Sequence, residues 1–238
     1  MFKIALTAGH YRYTAGKRCM KKLDKNETRE WVLNDRIADK IEKLLSEYGG
    51  YSLIRTDDTT GETAIELNER ISKANSFGAD IYISIHHNAG IYGGKGGGIV
   101  AYTCKNCQAK SKEWQKELYT ALIKETGLKG NRATPLAQSN LAEVKKTVLP
   151  AVLLELGFMD SASDVPIILT EDYANKCAKA IVSVIVAKAG LKKKTVLDDK
   201  KHIYRVQVGA FSVKENAEKL AAVLKTKGYD AIIKKDEN

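Results

Sequence analysis

The sequence predicts an α/β protein with a mostly parallel, twisted sheet flanked by helices, followed by a small C-terminal β-α-β unit. In the first 190 residues, short apolar, β-branched segments alternate with helical segments of ten or more residues. This order is typical of βαβ units with parallel strands. The chain then changes to a charged stretch and a shorter β-α-β pattern. We therefore predict a large domain at 1–190, a linker at 191–202 and a small unit at 203–238.

Apolar periodicity places the elements of the large domain. Strands are predicted at 2–7, 51–55, 81–86, 98–103 and 151–156, and helices at 28–48, 63–77, 111–125 and 171–188. In the first helix, Trp31, Ala38, Ile41, Leu45 and Tyr48 fall on one face, which indicates packing against the sheet. Glycines follow the first and last of these helices, as is common where helices end.

The C-terminal unit is predicted to have a strand at 203–211, an amphipathic helix at 214–227 and a second strand at 229–234. The linker before it is charged and lacks apolar periodicity. Because 36 residues cannot bury much apolar surface alone, this unit is expected to need a partner.

Composition limits the classes of function. The 238 residues carry a net charge of +10, which suits an acidic, extended partner such as nucleic acid, an anionic membrane surface or a cell-wall polymer. No aromatic-basic interleaving or known nucleic-acid motif accompanies the charge, so no nucleic acid is expected. No apolar run is long enough to predict a membrane span. The chain enters its first strand at once, so we expect that it has no signal peptide and is synthesised in the cytoplasm. In that compartment the cysteines are expected to be reduced, with Cys104 and Cys107 in a surface turn.

Two of the four histidines follow predicted strands. His10 comes after the first strand and Gly9, and His86 ends the strand at 81–86. Carboxyl ends of parallel strands meet at one edge of the sheet, where open α/β folds place functional groups. Glu27 opens the first long helix, and helix N-termini face the same edge. Glu27 is either an acidic residue favoured at a helix N-terminus or a third metal ligand beside the two imidazoles.

Glu155 lies inside the predicted strand at 151–156, among apolar residues. A buried carboxylate is costly unless it is paired or functional. Either a buried Arg or Lys neutralises it, or it is a general base whose pKa the apolar surroundings raise.

These residues resemble the zinc-dependent N-acetylmuramoyl-L-alanine amidases of the amidase-3 type, found in bacterial autolysins and phage endolysins. The resemblance rests on TAGH ending at His10, NE at 26–27, LNER at 67–70 with AN at 74–75, SIHHNA at 84–89 and PAVLLELGF at 150–158. It implies that His10, Glu27 and His86 hold Zn²⁺ and that Glu155 is the catalytic carboxylate. The implied substrate bond joins the lactyl group of N-acetylmuramic acid to the L-alanine of the stem peptide in peptidoglycan.

Several further residues are assigned around this site. In the family motif the residue after His86 varies, and strand alternation turns His87 away from His86. We therefore interpret His87 as a neighbour that contacts substrate, together with Asn88 and Arg132. Arg70 is either a groove contact or an ion-pair partner on its helix. The glycine-rich segment at 93–98 lacks the features of a phosphate loop and is expected to border the substrate groove or simply to connect two strands.

The C-terminal unit is similar to the first half of a SPOR domain, a module that binds peptidoglycan. The similarity rests on YRVQVGAFS at 204–212, NAEKL at 216–220 and GY at 228–229. Because only one β-α-β half is present, we hypothesise that two chains pair through it to form a homodimer.

The resulting hypothesis is a peptidoglycan amidase that lyses cell walls after its release from the cytoplasm, closer to a phage endolysin than to a secreted autolysin. One alternative is another zinc enzyme on the same site, such as a carboxypeptidase or a peptidase that cuts within the stem. A second is a non-catalytic module that adheres to anionic wall polymers through its basic charge.

Overall fold

The structure, a computed structural model, describes residues 1–194 and 206–235. One compact unit covers residues 1–194, and a second unit follows it. In chain order, the elements of the first unit are β1 (Phe2–Ala8), α1 (Glu30–Leu45), β2 (Tyr48–Gly49), β3 (Tyr51–Arg55), α2 (Leu67–Phe77), β4 (Ile81–Asn88), β5 (Ile99–Thr103), α3 (Ala109–Thr126), β6 (Leu136–Gln138), α4 (Ala142–Lys145), β7 (Ala151–Phe158), α5 (Val165–Ile168), α6 (Glu171–Ala189) and β8 (Lys192–Lys193). The second unit contains α7 (Lys214–Thr226).

Six strands form one sheet in the order β3-β1-β4-β7-β5-β6. Every neighbouring pair is parallel except β5 and β7, which run antiparallel. The predicted mostly parallel sheet is therefore confirmed. The strands β1, β4 and β7 lie in its interior, and their nearly continuous apolar sequences fit burial on both faces.

Helices cover both faces of the sheet. On one face α1, α3 and α6 pack together over the larger apolar core, which contains Trp31, Trp114 and Tyr173. On the other face α2 and α4 cover a smaller core that contains Tyr82 and Val144. Because β1, β4 and β7 are adjacent and parallel, their carboxyl ends bring residues from distant parts of the chain to one edge.

The start of α1 differs from the prediction by two residues. Asp24 accepts hydrogen bonds from the backbone N–H groups of Asn26 and Thr28, and Arg18 pairs with Arg29 in an isolated antiparallel bridge. The chain is therefore held in a turn and an extended segment until Arg29, and α1 begins at Glu30.

The C-terminal unit confirms its helix but not its strands. The helix α7 ends at Thr226 and is followed by Gly228 with φ +84°. The predicted first strand begins at residues outside the described part, and its described residues 206–211 form no strand. Residues 229–234 form none either. Apolar side chains of these two segments, among them Val206 and Ile232, are exposed. Strands need a hydrogen-bonded neighbour, and this short segment supplies none within its described residues.

Candidate active site

His10 follows β1 in a strained backbone conformation that its surroundings stabilise. Its φ is +67°, in the left-handed region that is unfavourable for a residue with a Cβ. Arg70 on α2 is only 3% exposed, and its guanidinium donates to the carbonyl oxygens of His10 and Ala8, both at 2.6 Å. Gly9 must be small because a Cβ there would collide with the ring of His86. Arg70 is thus neither a groove contact nor a surface ion pair, since it holds the loop that carries His10.

Glu30 is the carboxylate that meets the two histidines. It is the first residue of α1 and is fully buried. Its Oε1 lies 3.1 Å from His86 Nδ1, and its Oε2 lies 3.3 Å from His10 Nε2. Oε1 also accepts the backbone N–H of His87. Among the described residues Oε2 makes longer ionic contacts, with His10 Nε2 and, at 3.7 Å, with Lys17 Nζ.

His10, Glu30 and His86 form a group that fits a metal ion. One ligand atom from each residue lies within 4.8 Å of the other two. The imidazole rings of His10 and His86 meet edge to face, with centroids 5.1 Å apart. Two histidines and one carboxylate are a common set of protein ligands in catalytic zinc sites, which keep a further position open. The donor set therefore suits a divalent cation.

The charges of the group are strongly coupled. Burial by itself raises the pKa of Glu30, but the hydrogen bonds and charges of His10 and His86 outweigh burial and hold that pKa well below its usual range. Burial by itself lowers the pKa of His86, but Glu143 and Glu30 on either side of the ring raise it to about 10. The site is therefore built to hold positive charge.

Glu27 is not part of this group, which corrects the sequence-based ligand set. Its Oε1 lies 3.2 Å from Arg18 Nε and its Oε2 lies 3.9 Å from Lys21 Nζ. Because α1 begins at Glu30, Glu27 belongs to the turn before the helix, with φ +48°. The sequence placed the start of the helix at residue 28, two residues before the structure does, and so favoured Glu27 over Glu30. The signal used for Glu27, an acidic residue at the start of the helix, applies equally to Glu30.

Glu155 lies beside His86 on the neighbouring strand. The two residues are paired in the register of β4 and β7. Glu155 Oε2 is buried and has no hydrogen-bond partner among the described residues, so the predicted alternative of a neutralising Arg or Lys hydrogen-bonded to it is not found. Burial raises the pKa of Glu155 to about 7, and the charges of Glu30 and Glu143 add to this, whereas those of His86 and Lys17 oppose it.

The predicted substrate contacts lie in three different environments. His87 is only 2% exposed, and its Nδ1 lies 2.8 Å from Asn34 Oδ1 on α1. A side chain so deeply buried offers almost no surface to a polymer, which argues against the predicted substrate contact of His87. The side chain of Asn88 accepts the N–H of Ala89 at the end of β4. Arg132 is exposed, with its guanidinium over the ring of Phe158 at 5.3 Å.

The connection between β4 and β5, which includes the glycine-rich segment at 93–98, is anchored to the loop after β7. Asp160 Oδ2 accepts the N–H groups of Gly90, Ile91 and Tyr92, each within 2.8 Å. Asp164 Oδ2 accepts the N–H of Gly98 at 2.7 Å. These carboxylates connect the segment between β4 and β5 to the chain beyond Glu155, so both loops are held together near one edge of the sheet.

Protein-family comparison identifies both units. The family model for N-acetylmuramoyl-L-alanine amidase matches residues 4–187. The chain belongs to this amidase family. A SPOR domain model matches residues 200–238. The protein is thus an amidase that hydrolyses the bond between N-acetylmuramic acid and L-alanine in peptidoglycan.

Individual relatives agree with this membership. The sporulation-specific N-acetylmuramoyl-L-alanine amidase of Bacillus subtilis is 31% identical over 209 residues, which are 87% of this chain and 77% of that protein. The amidase CwlM of Bacillus licheniformis is 30% identical over 80% of this chain and 70% of its own length. The endolysin of Bacillus phage SPP1 is 28% identical over 67% of this chain and 58% of its own length.

Solved structures show the same fold. The catalytic domain of CwlV, an amidase from Bacillus (Paenibacillus) polymyxa var. colistinus, superposes with a TM-score of 0.70 at 24% identity, over 81% of this chain and all of that one. An amidase from Clostridium difficile 630 gives a TM-score of 0.71 over 79% of this chain and 97% of that one. Among the described helices of this amidase, none combines the length and apolar character needed to cross a bilayer. Nothing in the structure or these comparisons supports the homodimer predicted from the C-terminal unit.

Proposed function

We propose that this amidase cleaves its substrate with a zinc ion held by His10, Glu30 and His86 and with Glu155 as the general base. The observation that carries the proposal is the convergence of two imidazoles and one carboxylate at the edge of the sheet, with an unpartnered carboxylate one strand away. A zinc ion in such a site would polarise the scissile carbonyl and lower the pKa of a water molecule.

The residues of the chain then have separate tasks. Glu155 accepts a proton from the water that attacks the lactyl carbonyl carbon, and it passes that proton to the nitrogen of L-alanine as the C–N bond breaks. The products are a lactyl carboxylate and a free L-alanine amino group. Arg70 keeps His10 in its strained conformation, and the N–H of His87 helps to orient Glu30.

Product analysis on purified peptidoglycan tests this function against its alternatives. The amidase is expected to expose new L-alanine amino termini, to leave the glycan strands intact, and to stop when a chelator removes the metal. New termini at other stem residues would instead indicate a peptidase, and binding without any cleavage would indicate an adhesion module.

The raised pKa of His86 leads to a prediction for metal binding. In the metal-free protein this pKa is about 10, so the imidazole carries an extra proton at pH 7. A histidine ligand must give up the proton on its binding nitrogen. Zinc binding at pH 7 is therefore expected to release about one proton, and affinity should increase as pH rises. Calorimetric titration in two buffers of different ionisation enthalpy measures this, and equal binding heats in both would contradict it.

We further propose that the C-terminal unit binds peptidoglycan. Its match to the SPOR model supports this proposal, and so does the net positive charge that the linker and the unit carry together. Co-sedimentation of the full chain carrying Glu155→Gln with purified peptidoglycan tests it, compared with the same chain carrying added Phe211→Ala and Tyr229→Ala changes. Equal sedimentation of both chains would argue against a role for this unit. Cytoplasmic synthesis with release to the wall stays a prediction from the sequence.

A further inference from the structure

A second buried carboxylate, Glu143, contacts the proposed metal ligand His86 from the side opposite Glu30. Glu143 lies on the short helix α4 and is only 4% exposed. Its Oε2 lies 3.3 Å from His86 Nε2, whereas Glu30 Oε1 lies 3.1 Å from His86 Nδ1. Each ring nitrogen of His86 thus faces its own carboxylate.

The other oxygen of Glu143 is fixed by two hydroxyl groups of the same strand. Oε1 accepts the Tyr82 hydroxyl at 2.7 Å and the Ser84 hydroxyl at 3.2 Å. Tyr82, Ser84 and His86 alternate along β4, so all three point to the face of the sheet that α4 covers. The carboxylate therefore cannot turn away from His86 without losing two hydrogen bonds in a buried place.

We propose that Glu143 is a positioning residue that accepts the Nε2–H of His86 and so presents Nδ1 to the metal site. A carboxylate only accepts hydrogen bonds, and a neutral imidazole has one donor and one acceptor nitrogen. With the proton held on Nε2 by Glu143, the lone pair is on Nδ1, the nitrogen beside Glu30. Carboxylates that bind the far nitrogen of a histidine ligand fix its orientation and raise its basicity. This inference rests on the metal site proposed above.

The competing interpretation is that Glu143 only attaches α4 to β4. Tyr82→Phe is a matched control for this interpretation, because it removes a hydrogen bond between β4 and the Glu143 carboxylate but leaves the contact between Glu143 and His86. Glu143→Leu removes both the contact with His86 and the hydrogen bonds that attach α4 to β4, and leucine has nearly the same volume as glutamate. Glu143→Gln keeps a neutral carbonyl that can still accept the Nε2–H.

Zinc affinity, measured by competition with a chromophoric chelator, separates the two interpretations. Glu143→Leu is expected to weaken zinc binding by about 10–100-fold, Glu143→Gln by less, and Tyr82→Phe by less than about threefold. Unchanged affinity in Glu143→Leu would overturn the proposal, as would an equal loss in Tyr82→Phe. If Glu143→Leu does not fold, Glu143→Gln decides through the His86 Nε2–H signal described below, because this variant keeps an acceptor and its zinc affinity does not separate the two interpretations.

Nitrogen-15 NMR of the metal-free protein gives a readout that does not depend on zinc. The wild type is expected to show a slowly exchanging His86 Nε2–H, which persists in Tyr82→Phe and is lost or shifted in Glu143→Leu and shifted in Glu143→Gln. An Nε2–H signal that none of the Glu143 variants changes would overturn the role of Glu143. Failure of the wild type to bind zinc, with this signal behaving as expected, would instead refute the metal site alone.

Discussion

Replacing Glu155 by glutamine is expected to lower kcat on peptidoglycan by about 10²–10⁴-fold, the usual contribution of a general base. Glutamine has nearly the same shape but cannot accept a proton from the attacking water. Because Glu155 Oε2 has no partner within the described residues, the change breaks no hydrogen bond at that atom, so the fold and the zinc content should be retained. Release of L-alanine amino termini from purified peptidoglycan measures the rate.

Glu155→Asp is the matched control, because it keeps the carboxylate and withdraws it by one methylene. It should retain more activity than the glutamine variant and should keep a fall in rate at acid pH. The direction of this pH dependence follows from the role of Glu155. A general base works only when it is ionised, so the rate rises with pH through the pKa of Glu155. Burial raises this pKa to about 7 without a metal, and a bound cation lowers it. Wild-type kcat in Glu155→Gln would remove Glu155 from the mechanism.

The histidines and Glu155 could be predicted because strand ends are the best-defined places in an α/β fold. His10 and His86 follow apolar strands, and Glu155 interrupts one, so their convergence needs only that β1, β4 and β7 be adjacent and parallel. The sheet has that order. A polar or charged residue at the end of an apolar strand, or inside one, is therefore a strong indicator of a functional site.

The positions of Glu30 and Glu143 beside His86 could not be predicted, for different physical reasons. Helix starts are uncertain by a few residues in any sequence, and the hydrogen bonds of Asp24 that delay α1 until Glu30 depend on the folded turn. Glu143 belongs to a four-residue helix, too short for any periodicity, and its burial results from the packing of α4 beside β7. Both carboxylates look like surface charges in the sequence.

The C-terminal strands were predicted from alternation, which shows that a segment can form a strand but not that it has a neighbour. Val206 and Val208 alternate with polar residues, yet both side chains are exposed in the structure. A sheet gains its stability from cross-strand pairs and a covered face. The described residues 206–235 provide neither.

Exchanging Glu30 and Glu27 separately for glutamine is expected to give opposite results, and this pair of variants decides which carboxylate holds the metal. Glu30→Gln removes the charge between His10 and His86, so zinc affinity should fall by at least about 100-fold, because even the outer partners of metal ligands contribute 10–100-fold. Peptidoglycan hydrolysis should fall with metal occupancy. Elemental analysis and chelator competition measure the binding.

Glu27→Gln is matched to it in chemistry and lies only three residues away, but it disturbs a half-exposed ion pair with Arg18. Such a pair contributes less than about 1 kcal/mol to the free energy of unfolding, so metal content and kcat should stay at the wild-type level. Loss of zinc in Glu27→Gln with full zinc in Glu30→Gln would restore the ligand set implied by the sequence. It would also require Glu27 to leave its ion pair with Arg18 when the metal binds.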